Sequence, residues 1–105
     1  MARRLVFRVE SPLGDTIVLT RDRWRQIIRF KHPALDGHEQ AVRECVRQPD
    51  LVRESKKDPD VHLYYAASER GYLCVAVAPK EDDERFVVTA YFTRNIKSGK
   101  QLWTK

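Results

Sequence analysis

The sequence predicts an α+β domain: an N-terminal β-hairpin and two helices packed on one face of a four-stranded antiparallel sheet. Three observations carry this expectation. Apolar residues alternate with a period of two over residues 5–10, and a strand-like period returns from residue 51 onward. Between these stretches the period is helical, with Trp24, Ile27 and Ile28 on one stripe and Ala41, Val42, Cys45 and Val46 on another. Short turns separate the later strands, which favours antiparallel neighbours.

Each element has its own local reason. Residues 5–10 (LVFRVE) and 16–19 flank the turn cluster Ser11-Pro12-Leu13-Gly14-Asp15 and read as a hairpin. Thr20 is a plausible N-cap, and Asp22 complements the dipole of the helix that follows. That helix should end at His32, because Pro33 disfavours helical geometry in the residue before it. Asp36, with Glu39 three residues later, resembles a capping box for the second helix, and Pro49 ends that helix. Strands are expected at 51–54, 61–67, 72–78 and 85–93, with Trp103 either packed back as a last strand residue or exposed.

The chain has 105 residues, enough for one domain with a real core. Hydrophobic residues make up 42% and charged residues 33%, a globular balance. Arg8 and Glu10 interrupt any signal-peptide core, and no apolar run is long enough for a bilayer, so a soluble, cytoplasmic domain without membrane contact is expected. Cys45 and Cys74 sit in apolar surroundings and read as free buried thiols. Neither Cys/His spacing nor a carboxylate cluster suggests a metal, and no cofactor motif occurs. Nor is there a GxSxG or GxxxxGK[ST] sequence for serine-hydrolase or P-loop chemistry.

The net charge of +5 is unevenly spread. Residues 21–31 and residues 93–105 are each net +4, so the remainder is acidic and includes the run Glu81-Asp82-Asp83-Glu84. If the two basic segments meet, they form a surface suited to phosphates. Placing the aliphatic sets of the strands inward leaves Thr89, Tyr91 and Tyr64 on an open sheet face, with Cys74 and Ala76 between them. Arg53, Lys56, Arg94 and Lys97 stand at nearby strand ends. Such a floor offers hydroxyls, rings for unpaired bases and cations for phosphate. Of the three histidines, His32 closes a basic helix and is the candidate proton carrier.

Several stretches are familiar together: Val18-Leu19-Thr20 with Trp24 and Ile27, His32-Pro33, Pro49-Asp50-Leu51-Val52, Leu63-Tyr64-Tyr65, Val87-Val88-Thr89-Ala90-Tyr91, and the tail from Lys97 to Trp103. They resemble small phage- and mobile-element-associated domains of the barnase–EndoU–colicin–RelE (BECR) nuclease superfamily. The resemblance implies a single BECR-like domain over 1–105 and a metal-independent endoribonuclease that cleaves RNA by 2′-hydroxyl attack. It implies catalytic residues His32, Thr89 and Tyr91, with Arg53 and Arg94 as phosphate binders. Lys56, Tyr64 and Lys97 complete the candidate substrate-binding set. The implied partners are RNA and a cognate inhibitor protein. Ala34 departs from the pattern, in which an acid often follows His-Pro. The alternative reading is a non-catalytic RNA- or protein-binding module, which needs only the basic surface and the aromatic floor.

Overall fold

The computed structural model describes residues 4–80 and 84–105. Met1, Ala2 and Arg3 at the start, and Glu81, Asp82 and Asp83 of the acidic run, lie outside the described residues.

β1 (Leu5–Glu10) and β2 (Thr16–Thr20) form an antiparallel hairpin. Its turn needs Gly14, whose φ of 88° is penalised for any residue with a Cβ. Thr20 caps α1 (Arg21–Gln26), its hydroxyl accepting from the Arg23 N–H at 3.2 Å, a contact worth about 1 kcal/mol. The α-helical geometry then stops earlier than the sequence suggests. Residues Ile27–Lys31 widen into a π-helical turn, and the His32 N–H donates to the Ile27 carbonyl at 2.7 Å. Pro33 starts a single 3₁₀ turn, Pro33–Leu35, that carries Leu35 into the core. α2 (Glu39–Arg47) begins after His38 rather than after the expected cap at Asp36.

β3 (Leu51–Glu54), β4 (His62–Ser68), β5 (Gly71–Pro79) and β6 (Glu84–Thr93) run as an antiparallel meander, and β7 (Gln101–Thr104) follows. The expected four-stranded antiparallel sheet with two helices on one face is corrected here. The sheet is mixed and seven-stranded, in the order β1-β2-β6-β5-β4-β3-β7, and the two α-helices are short. Two distant pairings make the difference. Thr16–Val18 of β2 lie parallel to Glu84–Phe86 of β6, and β7 adds to the outer edge of β3.

Trp24, Ile27, Leu35, Val42, Cys45 and Val46 share one core with Phe7, Ile17, Leu19, Val52, Tyr64, Val75 and Val77. Each fully buried aliphatic side chain there contributes about 1.5–3 kcal/mol. A smaller cluster on the other side of the sheet holds Leu63, Tyr65, Cys74 and Ala76. The two free cysteines, Cys45 and Cys74, are therefore buried in different clusters.

One expected phase is reversed, in β4, and in β6 the expected phase holds for Ala90 and Tyr91 but fails before a bulge. In β4 it is Tyr64 that enters the large core, fully buried, while Leu63 and Tyr65 join the smaller cluster. In β6 a bulge sets Val77 against Val87 and Ala76 against Thr89, leaving Val88 as the extra residue. Val87 and Ala90 are consequently the core residues, Val88 is half-buried, and Phe92 is 42% exposed.

Candidate functional site

The smaller cluster is not an open floor. β6 and β7 lie on opposite sides of β5, β4 and β3, so the chain from Arg94 to Lys100 must cross between them. This strap packs Ile96 onto the cluster. The Lys97 N–H donates to the Tyr65 hydroxyl at 3.1 Å, and Arg53 Nη1 donates to the Lys97 carbonyl at 3.1 Å. The Lys100 carbonyl accepts from the Glu54 N–H at 2.8 Å. Burial pushes the Tyr65 phenol up to about 12, so it stays protonated and holds the strap as a neutral group.

Beneath the strap the register orders the side chains in rows. Arg53, Leu63, Ala76 and Thr89 lie opposite one another in sequence across the strands, and Leu51, Tyr65, Cys74 and Tyr91 form the next row. Tyr91 is the end of its row. It lies on the part of β6 beyond Phe86, where the pairing with β2 has ended. The chain leaving β2 runs beside this stretch: Arg23 lies over the Phe86 ring, His32 meets Tyr91, and His38 meets Phe92.

The site grows from Tyr91. The His32 and Tyr91 ring centroids are 5.6 Å apart with planes tilted by 37°. Lys97 Nζ stands 5.6 Å from the centre of the same ring, within cation–π range. His32 is half-buried and Lys97 is exposed. Lys97 of the second basic segment and His32, which directly follows the first, thus meet at one tyrosine. Burial pushes the Tyr91 phenol above its ordinary value, and the neighbouring Cys74 thiol pushes it further. The ring is available at this site, while the hydroxyl is a weak acid.

The other sequence-predicted residues fall elsewhere. Thr89 stands two residues before Tyr91, but its Oγ1 is sealed from solvent and has no hydrogen-bond partner. Arg53 anchors the strap, with its Nε buried. Lys56 is exposed on the turn beyond β3, past Arg53 and away from the Tyr91 row. Arg94 is exposed and lines a cleft on the helix side of β6. Tyr64, expected to face substrate, is corrected to a core residue, and its burial pushes its phenol up to about 12.

Tyr65, Ile96, His38 and Phe92 were missed as contributors. Ile96 had a signal, being a lone apolar residue in the polar run TRNIKSGK. Phe92 had none, because it shares the face of the buried Ala90 and is exposed only where the cleft opens. Among the described residues, no three His, Cys, Asp or Glu side chains cluster to hold a metal ion, and no helix is long and apolar enough to cross a membrane. In comparison with known proteins the chain matches no family, no curated protein and no solved structure.

Proposed function

We propose that this chain is a metal-independent endoribonuclease of the cytoplasm, cutting RNA by attack of a ribose 2′-hydroxyl on the neighbouring phosphate. The observation that carries the reading is the convergence of His32, Tyr91 and Lys97 from three separate parts of the chain. An imidazole is the side chain suited to moving protons near neutrality. The Lys97 ammonium offers positive charge to the phosphorane, and the Tyr91 ring offers a surface to an unpaired base. The 2′-oxygen gives its proton to His32 as it bonds to phosphorus. The bond to the 5′-oxygen breaks, that oxygen takes a proton from solvent, and a 2′,3′-cyclic phosphate remains. The cognate inhibitor protein rests on the BECR resemblance alone.

A binding module that does not cut is favoured by a different observation. With the Thr89 hydroxyl sealed and the Tyr91 phenol held above its ordinary value by burial, His32 is the one of the three nominated catalytic residues suited to exchanging protons with a substrate near neutrality. One experiment separates the readings: single-stranded RNA incubated with the chain in EDTA, with the product ends identified. Cyclic-phosphate ends are expected, with the rate lowered about 100-fold or more in His32→Gln. RNA that is bound but never cut leaves the binding module. RNA that is neither bound nor cut removes both readings.

A further inference from the structure

A cleft of about 830 Å³ opens on the helix side of β6, between α2 and the ends of β4, β5 and β6. Ala41, Cys45, Ala66 and Leu73 line it, together with Phe92, Arg70 and Arg94. We infer that this cleft holds an unpaired base of the bound RNA, stacked on Phe92, with Arg94 at its phosphate. The inference rests on the RNA reading above and adds a second contact to it.

Four observations support a nucleotide here. The volume lies in the range of about 300–1,000 Å³ typical of small-ligand pockets. Phe92 is 42% exposed, and the His38 ring meets it at 81° with centroids 5.5 Å apart. In such a perpendicular pair, whichever ring is edge-on, His38 covers at most one face of Phe92. Among the described residues neither Arg70 nor Arg94 is in an ion pair, and of the two carboxylates lining the cleft Glu44 is neutralised by Arg43 and Arg47, which leaves Glu69 against two unpaired guanidinium groups. The lining also includes Gln48 and Ser68, which can pair with the polar edge of a base but would be left unpaired by an acyl chain.

Continuity with the first site gives the path. Tyr91 and Phe92 are neighbours in β6 and point to opposite faces of the sheet. Each is met by a histidine from the one segment that passes the unpaired part of the strand, His32 on Tyr91 and His38 on Phe92. A single strand of RNA passing over that segment meets a ring at either end of it.

The test uses the full chain and a short 2′-O-methyl RNA, which can bind but has no 2′-hydroxyl to attack with. AMP and UMP are titrated separately, and amide resonances are followed throughout. The RNA should shift residues 66–73 and 92–94 together with the His32 region. Phe92→Ala should weaken RNA binding about tenfold, and Phe92→Tyr should restore it. RNA binding unchanged in Phe92→Ala, with shifts confined to His32, Tyr91 and Lys97, overturns the cleft inference and leaves the RNA reading standing. Shifts in the cleft with AMP or UMP but no RNA binding mark a free-nucleotide site, and both the RNA reading and the inference as stated fall. No response to any of the three ligands also overturns both.

Discussion

In the proposed reading Tyr91 contributes through its ring, because burial beside Cys74 holds its phenol above its ordinary acidity range. Tyr91→Phe should therefore keep the cleavage rate within a few-fold of wild type, whereas Tyr91→Ala should weaken RNA binding about tenfold, as measured by single-turnover kinetics and direct titration. A second single-residue effect concerns His62. Burial and the Arg85 charge push its imidazole below the ordinary value, outweighing Asp15, Glu54 and Asp60. An unfolded histidine titrates near pH 6.5, so below that the unfolded chain binds a proton the folded chain resists. Stability contributed by His62 is present above about pH 6.5 and lost as the pH falls through its lower folded value. Thermal melts across that window should lose this component in His62→Gln. At this scale the sequence was informative about chemistry and weak about orientation. His32 and Tyr91, nominated for one site with Thr89, have their rings 5.6 Å apart. Tyr64 and Tyr65 are adjacent aromatics, and alternation alone cannot say which of two such neighbours turns inward.

The strap between β6 and β7 has no helix or strand of its own, yet it decides what the second sheet face can do. It closes over Tyr65 and leaves Tyr91 at its margin. Gly99 is one of its fixed points: a Cβ built there would run into the Glu54 carbonyl oxygen. Gly99→Ala should cost about 1–3 kcal/mol in chemical denaturation and should speed hydrogen exchange at the Lys97 amide. The boundaries of β3, β4, β5 and β6 were legible to within a residue or so, because strand periods and turn residues are local. The bulge at Val88 was not, since it is defined by what lies opposite on β5. The π-helical turn was equally hidden: Pro33 announces the end of a helix but not how its last turn is wound.

For the whole molecule, the missing information was long-range pairing. Nothing near Thr16 or Gln101 announces that one strand will lie parallel to β6 and the other beside β3. Both pairings are made between segments about fifty or more residues apart, and no local pattern encodes them. Of the second basic segment Lys97 reaches Tyr91, whereas the first, residues 21–31, ends one residue before His32, which meets the same ring. RNA affinity should accordingly fall steeply and linearly on a log–log plot against salt. Lys97→Ala should lower the magnitude of that slope by about 1, as expected for the loss of a single phosphate contact.

Cys45 and Cys74 lie in separate clusters, one on the buried face of α2 and one under the strap. The molecule thereby carries two chemical clocks. Burial raises both thiols above their ordinary values, so neither is reactive while covered. Modification by a thiol reagent must wait for an opening event, and the two sulfurs report different ones. Cys45 is reached by lifting α2 from the sheet, and Cys74 by lifting the strap. Labelling each single-cysteine variant, Cys45→Ala or Cys74→Ala, should give slow rates for both. Gly99→Ala added to the chain that retains Cys74 should accelerate its labelling more than the same change accelerates Cys45. Equal acceleration of both would mean that strap and helix open as one cooperative unit.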